Sequence, residues 1–568
     1  MQRVRGLLDQ ARAFIERGEP QPALRLCEQV LSIEPDSAEG HFLTGSIHAQ
    51  WAAYEIALKH FQHAIELGAD FPELYLNLGN IYRLTSDPRR AEQSYRRALE
   101  ADPACALAHY GLGIVLKNSG ALEEALPFLA RAQAQAGLAG EVVRLRVTTL
   151  VELGRYEEAM TIAREAAARD SSCHETAVAY GYACQKLQRP QEALGSYERA
   201  LALGAGDADV FNNLGIVLQD LGRLPEAFDS YDKALALKPG HTLARFHRAL
   251  ARLLAGEYGA GWPDYEARLL SREYARRPAT YPRWDGSAPG PRTILVYGEQ
   301  GLGDEIMFAS CLPDLISVAR HCVIECSPKL QGLFVRSFPR ATVYAANAEA
   351  RVPAEVQALG IDAELPIGSL PLHYRRSRDA FPRHGGYLRA DPRRTAQWAS
   401  WLAGLGPGLK VGLSWRGGTH KTRTPIRSIG LDRLLPLLRT PHVHFVSLQY
   451  TSEAPAEVEA LRAGSGITIT HVPAAVADYE ETAGLVSALD LTLTVCTAVA
   501  HLAGALGRPV WVAAPYSPEW RYGCAGDDMP WYPSARLFRQ TSYGSWDEVL
   551  TALTACLQDR VLAQPVRC

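Results

Sequence analysis

The 568-residue chain lacks the features that define several classes of protein. No apolar run is long enough to cross a bilayer, and the first residues reach acidic and polar side chains too early for a secretory signal, so we expect no membrane span and a cytoplasmic location. The formal net charge is only −3, which gives no reason to expect nucleic acid as a partner. The 11 cysteines are odd in number and show no paired CxxC spacing, which argues against a disulfide framework or a zinc site.

A 34-residue period runs through the first half of the chain. Its members are one alanine series (Ala23, Ala57, Ala91, Ala125, Ala159, Ala193, Ala227), glycines (Gly45, Gly79, Gly113, Gly181, Gly215), aromatic residues (Phe61, Tyr95, Tyr197, Tyr231) and a second alanine series (Ala64, Ala98, Ala132, Ala166, Ala200, Ala234). Period and residue sizes are those of the tetratricopeptide repeat, whose paired helices cross at small residues. The pattern predicts an α-solenoid of about eight repeats over residues 1–270, the weaker eighth having Gly261, Tyr265 and Arg268 in register.

The second half of the chain has a different pattern. Residues 271–292 lose the period and gain proline, glycine and arginine, which predicts a linker that Trp284 pins to a neighbour. Short apolar strands then alternate with helices, at residues 294–297, 322–325, 411–414, 444–448, 491–495 and 510–513. This alternation predicts an α/β fold with two parallel sheets, in domains 293–395 and 396–568. The first of these is short, so we expect the last repeats to help complete its fold or its acceptor site.

Two strand-to-helix turns carry residues suited to ligand binding, because ligands of open α/β sheets bind at such turns. The first, Gly298–Asp304, has three glycines that permit a tight turn, and places Asp304 at a helix start, where a carboxylate also simply complements the helix dipole. The second runs from Val495 to Pro509, and its small residues and Thr497 leave backbone N–H groups available for a diphosphate. The alternative to a diphosphate site is an ordinary capped helix, with His501 hydrogen-bonded in the core.

At these turns the chain resembles the heptosyltransferase-like inverting glycosyltransferases, family 9, which have the two-domain GT-B fold of paired Rossmann-like domains. The resemblance covers about residues 280–545. Within the family, it is to the bacterial subgroup that carries tetratricopeptide repeats. It rests on the segments 298–304, 412–415 with 427–429, 447–449, 497–509 and 531–533. The layout is also similar to that of the flagellin glycosyltransferases and the protein O-linked N-acetylglucosamine transferases, although the catalytic motifs resemble those of family 9 more than those of the N-acetylglucosamine transferases.

The resemblance implies transfer of a sugar from a nucleotide-sugar donor, with inversion and without a metal or other cofactor. It places the catalytic base at Asp304, which would take the proton of the attacking hydroxyl. It also implies a donor site, whose predicted members are Gly303, Trp415, Lys421, Arg427, Gln449, Cys496, Thr497, Ala498, Val499 and His501. Basic side chains there, including Arg423, would stabilise the leaving diphosphate, or else are solvated loop charges. Asp478 and Glu481 are further candidates for a base or a ribose contact.

One residue departs from the family pattern. The usual aspartate before the threonine is Cys496 here, and a thiol is a poor substitute for a carboxylate that accepts hydrogen bonds from sugar hydroxyls. The departure leaves the identity of the donor open.

The repeats imply a protein or peptide acceptor, because a groove lined by their first helices suits an extended chain. Predicted acceptor contacts are Tyr75, Asn77, Tyr110 and Asn213, with His109 beside them. The intervening equivalents of the two asparagines are Gly111, Leu145 and Ala179, so there is no continuous asparagine ladder. The alternative for the two asparagines is an ordinary solvated surface position.

The sequence thus predicts a protein glycosyltransferase whose repeats recruit the acceptor, for which flagellin is a reasonable candidate. Two alternatives stay open. One is a glycosyltransferase that acts on an envelope saccharide or lipid, and the other is a non-catalytic repeat scaffold with a degenerate transferase domain, for which Cys496 is the main argument.

Overall fold

The computed structural model describes residues 2–133, 139–270, 279–288, 290–347, 351–418 and 424–563. The chain divides into two compact units, Met1–Gly206 and Asp207–Cys568, here called unit 1 and unit 2. The division falls inside the predicted repeat array, because unit 2 begins with the seventh repeat. In the described ranges, no helix combines the length and the apolar character that crossing a membrane requires.

The repeats are pairs of antiparallel helices that follow the 34-residue period. Unit 1 contains α1 Gln2–Glu16, α2 Pro20–Ile33, α3 Ala38–Gln50, α4 Tyr54–Glu66, α5 Pro72–Leu84, α6 Pro88–Ala101, α7 Ala106–Asn118, α8 Leu122–Ala132, α9 Ala139–Glu152, α10 Tyr156–Arg169, α11 His174–Lys186 and α12 Pro190–Ala202. Unit 2 begins with α13 Ala208–Asp220, α14 Leu224–Leu237, α15 Thr242–Leu254 and α16 Tyr258–Tyr265. The predicted solenoid is therefore confirmed.

The small residues of the period lie where the two helices of a repeat touch. A Cβ added to Gly79 of α5 would stand 2.7 Å from the ring of Tyr95 of α6, and one added to Gly215 of α13 would stand 2.6 Å from the ring of Tyr231 of α14. Atoms that close would clash, so only glycine permits these crossings. Both tyrosines are fully buried.

The α/β part of unit 2 contains two parallel sheets. Their strands are β1 Thr293–Tyr297, β2 His321–Cys326, β3 Thr342–Ala345 and β4 Ala363–Pro366, then β5 Leu409–Ser414, β6 Val443–Ser447, β7 Ile469–Thr470, β8 Leu491–Val495, β9 Val510–Ala514 and β10 Ala535–Arg539. The first sheet has the order β3-β2-β1-β4 and the second β10-β9-β8-β5-β6-β7. In each sheet the strand order reverses beside the first strand, at β1/β4 and at β5/β8, which is where open α/β sheets bind ligands.

Helices connect the strands. They are α17 Leu302–Phe308, α18 Leu312–Val318, α19 Gln331–Ser337, α20 Ala354–Gln357 and α21 Leu370–Tyr374 around the first sheet, and α22 Pro392–Ala403, α23 Leu435–Leu438, α24 Ala454–Ser465, α25 Pro473–Ala477, α26 Tyr479–Ala488, α27 Ala498–Ala505 and α28 Asp547–Leu562 around the second. The central strands are buried along almost their whole length, as expected for sheets covered on both faces.

The eighth repeat packs directly into the core of the α/β part. Trp262 of α16 is buried, its indole N–H donates to the carbonyl of Arg375 at 2.7 Å, and its ring meets that of Trp520 edge-on at 5.5 Å. Of the predicted linker, residues 271–278 and 289 lie outside the described ranges. Trp284 is buried and its backbone N–H donates to the carbonyl of Glu364 in β4, so it pins this segment to the first sheet.

Candidate functional site

The turn after β1 is built around one buried and one accessible carboxylate. The side chain of Glu299 is 2% exposed, and its Oε1 accepts a hydrogen bond from the backbone N–H of Gly368, just after β4, at 2.9 Å. Asp304 is the third residue of α17, and its side chain is 17% exposed. The turn thus leaves Asp304 within reach of a ligand while Glu299 ties the two strands of the switch point together.

The turn after β8 places small residues against the start of α17. Thr497 caps α27, because its Oγ1 accepts from the Val499 N–H at 3.2 Å. A Cβ added to Gly303 would stand 3.4 Å from the Cα of Ala498 and 3.1 Å from the ring of His501, so the two turns approach closely. Glycine at 303 and alanine at 498 permit this approach.

His501 is a neutral buried imidazole in this region. Its Nδ1 lies 3.1 Å from the Tyr532 hydroxyl and its Nε2 lies 3.4 Å from the Tyr522 hydroxyl. Burial, with a smaller contribution from the nearby charges of Arg521 and Arg427, lowers the pKa of His501 to about 3. The structure therefore places it as a hydrogen-bonded core residue that supports α27, with Val499 buried beside it.

A chain of alternating charges joins the two turns. Arg521 donates from Nε to Oδ1 of Asp304 at 2.9 Å and pairs through Nη1 with Glu519 at 3.4 Å. Arg427 donates from Nη1 to the other oxygen of Glu519 at 2.6 Å and from Nη2 to the carbonyl of Cys496. Two guanidinium groups and two carboxylates thus stand in a row at the carboxyl ends of β1 and β8, an arrangement that can bind an anion by displacing a carboxylate.

The remaining residues predicted for the donor site lie near the β5/β8 switch point. Their side chains are hydrogen-bonded to other groups of the protein. Gln449 is fully buried, and its Oε1 accepts from the backbone N–H groups of Trp415 and Arg416 at 3.1 and 2.9 Å. Trp415 is buried, with its indole N–H donating to Glu457 at 2.7 Å. These side chains therefore fix the loop after β5. Roles for them in donor binding stay predictions.

The side chain of Cys496 lies in the core. Its Sγ is 4.0 Å from the carbonyl of Ala513 on β9, and burial raises the pKa of the thiol to about 12. The thiol therefore stays protonated at neutral pH, and only the backbone carbonyl of Cys496 reaches the charged row through Arg427.

Several predicted residues lie elsewhere. Lys421 and Arg423 fall outside the described residues. Asp478 caps α26 and pairs with Arg394 of α22 at 2.9 Å, and Glu481 accepts from the Trp398 indole at 2.8 Å, so both join α22 to α26.

The predicted acceptor contacts are spread over the repeats. In unit 1, Asn77 donates to the Ser46 hydroxyl at 3.2 Å, Tyr75 lies under the guanidinium of Arg97, and burial raises the pKa of the half-buried Tyr110. His109 is only 3% exposed. In unit 2, the side-chain oxygen of Asn213 accepts from Asn212 at 3.2 Å. Their acceptor role stays a prediction.

Arg521 and Glu519 were not predicted from the sequence. They belong to the segment after β9, which has no repeat, glycine pattern or strand periodicity to mark it. Part of it forms the short 3₁₀ turn Trp520–Tyr522, and only this turn brings Arg521 to Asp304 across 217 residues of sequence.

Comparisons with known proteins support the array. The tetratricopeptide repeat family matches residues 76–139, 172–240 and 212–278. Among curated proteins the chain is similar to Protein FlbA of Caulobacter vibrioides, at 32% identity over 333 residues that make up 56% of this chain and 55% of the relative. The chain thus spans about half the length of this relative.

Solved structures with some similarity are also repeat proteins. They include YrrB, described as a tetratricopeptide repeat protein with an unusual peptide-binding site, at 27% identity and a TM-score of 0.26, covering 32% of this chain and 95% of YrrB. A tetratricopeptide repeat protein from Parabacteroides merdae has 14% identity and a TM-score of 0.36, covering 44% of this chain and 99% of its own.

Proposed function

We propose that the protein is an inverting glycosyltransferase that moves a sugar from a nucleotide-sugar donor to a protein recruited by its repeats. The observation that carries this proposal is the charged row Asp304–Arg521–Glu519–Arg427 at the carboxyl ends of two parallel sheets. Each sheet has its order reversal at this edge, as expected of the two Rossmann-like domains of a GT-B enzyme.

Asp304 is the base in this proposal. An acceptor hydroxyl attacks the anomeric carbon of the donor from the face opposite the diphosphate, its proton passes to the carboxylate, and the bond from the anomeric carbon to the diphosphate oxygen breaks. A positioned base contributes a factor of about 10² to 10⁴ to such a step. Asp304 is suited to this role because it is a partly exposed carboxylate in the turn that follows β1.

The leaving diphosphate needs positive charge as it departs. Arg427 and Arg521 supply it, together with the backbone N–H groups at the start of α27. Each guanidinium is paired with Glu519, and Arg521 also with Asp304. A diphosphate that draws Arg521 toward itself leaves the Asp304 carboxylate freer to accept a proton, so donor binding would precede activation of the acceptor.

The acceptor is proposed to be a polypeptide because the array consists of tetratricopeptide repeats, a fold that typically binds protein or peptide. Flagellin is the candidate to test first, on the resemblance described above. No metal or other cofactor takes part in the proposed reaction.

The experiment that tests the proposal combines purified full-length protein with a panel of nucleotide sugars and with two acceptor classes, flagellin from the same genome and envelope saccharide or lipid acceptors. Release of a nucleoside diphosphate that depends on flagellin is the expected result. Release that depends on the saccharide or lipid instead would favour an envelope enzyme. If no nucleoside diphosphate binds in calorimetry, the remaining alternative is a non-catalytic repeat scaffold.

A further inference from the structure

The eighth repeat reaches the turn that carries Asp304 through a buried ion pair. Arg268 lies in the 3₁₀ segment Glu266–Leu270 that follows α16, and its side chain is fully buried. It donates to Glu299 through two nitrogens, from Nε to Oε2 at 3.0 Å and from Nη2 to Oε1 at 2.6 Å. This paired geometry fixes the orientation of the Glu299 carboxylate, and only arginine has a planar fork that provides it.

Neighbouring contacts fix the same turn more firmly. Arg268 Nη2 also donates to the Ser369 hydroxyl at 2.9 Å, so one guanidinium spans the turns after β1 and β4. The next residue of the β1 turn, Gln300, donates from Nε2 to the Tyr265 hydroxyl at 2.9 Å. Two successive residues of this turn are therefore held by the eighth repeat.

The residue that pairs with Asp304 is held by the repeats as well. In the segment before Arg521, the Ser517 hydroxyl donates to Oδ1 of Asp220 in the seventh repeat at 3.0 Å. The Trp520 ring lies 5.7 Å from that of Tyr265. Repeats seven and eight thus contact both segments that form the Asp304–Arg521 ion pair, namely the turn that carries Asp304 and the segment that carries Arg521.

We propose that repeats seven and eight position the catalytic site, and that Arg268 is the positioning residue that sets Asp304 through Glu299. The inference rests on the proposed function for its kinetic consequence, but the order of the turn can be measured without activity. A displacement of about 1 Å at a catalytic group can cost about 10²-fold in rate even when the changed residue lies away from the chemistry. Arg268 touches neither substrate nor Asp304, so its effect must pass through the turn.

The test compares three variants of the full-length chain. Arg268→Lys keeps the charge but loses the paired geometry. Arg268→Met with Glu299→Gln removes both fully buried charges while keeping similar volume, which avoids the fold loss that follows from one unpaired buried charge. Glu266, the second and less buried partner of Arg268, still has its ion pair with Arg283 in this variant. The matched control, Arg245→Met, changes an arginine of the same repeat whose side chain donates to the Pro239 carbonyl, away from the turn.

Amide hydrogen exchange of peptides covering residues 298–305 gives the readout that needs no activity. We expect exchange to be about tenfold faster in Arg268→Lys and in the double variant, and unchanged in the control. Kinetics should show kcat lowered by about 10²-fold in both with donor KM within about twofold, even where the double variant unfolds at the same temperature as wild type.

Each outcome decides the question. Unchanged exchange at 298–305 in the variants, or recovery of kcat in the double variant, would overturn the positioning role and leave Arg268 as a stability residue. If Arg268→Lys does not fold, the double variant alone carries the comparison. If the wild type transfers no sugar, the proposed function fails while the exchange experiment still decides whether Arg268 orders the turn.

Discussion

Repeats three and eight share one architecture but use the same register positions differently. In repeat three, the Tyr95 hydroxyl donates to Asn80 at 2.8 Å, within the same repeat. In repeat eight, the equivalent Tyr265 hydroxyl accepts from Gln300, in the turn that leads to Asp304. The contrast continues one turn further along, where the small buried Ala98 of repeat three corresponds to the buried Arg268 of repeat eight.

The difference shows how a regular array joins an α/β fold. The Tyr95 hydroxyl finds its partner inside its own repeat, as expected of a solenoid in which each repeat contacts mainly its neighbours. Repeat eight instead directs Tyr265, Arg268 and Trp262 outward into the α/β core of unit 2. The last repeats therefore belong to the proposed catalytic unit, and we propose that the earlier ones bind the acceptor.

The largest effect is expected when repeats seven and eight are removed from unit 2. A fragment of residues 271–568 leaves Glu299 without Arg268 and Trp520 without Trp262. Breaking a buried ion pair costs about 3–5 kcal/mol and losing a buried tryptophan a similar amount, against a total stability of about 5–15 kcal/mol. We therefore expect near-ultraviolet circular dichroism to show no native signal. The fragment 207–568 should fold cooperatively, and equal folding of both fragments would contradict the account.

The second prediction concerns the chemistry of unit 2. Asp304→Asn keeps the shape of the side chain but removes the proton acceptor, so turnover should fall by about 10² to 10⁴. Calorimetric affinity for the nucleoside diphosphate should not weaken, because loss of the carboxylate charge also releases Arg521 from its ion pair. Activity within about tenfold of wild type would exclude Asp304 as the base.

The third prediction concerns the acid stability of unit 2. His501 has a folded-state pKa of about 3 and is neutral in the folded state at neutral pH, whereas in the unfolded chain its pKa is the ordinary 6.5 of an exposed imidazole. The unfolded state therefore binds an extra proton as the pH falls below about 6.5, and stability decreases by about 1.4 kcal/mol per pH unit until the folded pKa is reached. His501→Gln should remove this slope in denaturant titrations of the 207–568 fragment, and parallel slopes would contradict the assignment.

The fourth prediction separates a phosphate contact from a structural arginine. Arg427→Ala should weaken binding of the nucleoside diphosphate by about 1–3 kcal/mol if the guanidinium holds a phosphate. Arg433, which pairs with Asp547 at 2.7 Å, provides a control of the same residue type. Equal calorimetric affinities for Arg427→Ala and Arg433→Ala would place Arg427 outside the donor site.

The smallest effect is expected in unit 1. Asp87 caps α6 by accepting from the Arg90 N–H at 3.1 Å, so Asp87→Ala should lower the stability of the array by about 1 kcal/mol. Thermal unfolding measures this loss, and nucleotide affinity should not change. A loss of nucleotide affinity would show that the array affects the donor site directly.

The sequence predicts the regular parts of this molecule better than the contacts that join them. The 34-residue period places every helix pair, and apolar runs mark β1, β2, β5, β6, β8 and β9. The sequence pattern does not reveal β3, β4, β7 and β10, because strands of two to five residues without a strong apolar run resemble loops.

The site is predicted in part for a similar reason. In the sequence, glycines and a helix start mark the positions of Asp304 and Thr497. No local pattern marks Arg521, which contacts Asp304 only in the tertiary fold. Arg268 does leave a signal, because it interrupts the second alanine series. That signal does not reveal the partner, since Glu299 lies 31 residues away and belongs to a different fold element.

The central claim, that the array recruits a protein and unit 2 transfers a sugar to it, is tested most directly by intact-mass analysis of flagellin. Flagellin from the same genome is co-expressed with the full-length chain or with the 207–568 fragment, after the fragment is shown to fold and bind nucleotide. We expect flagellin to be heavier by whole sugar residues with the full-length chain and unmodified with the fragment. Equal modification by both, or no added mass with the full-length chain, would contradict it.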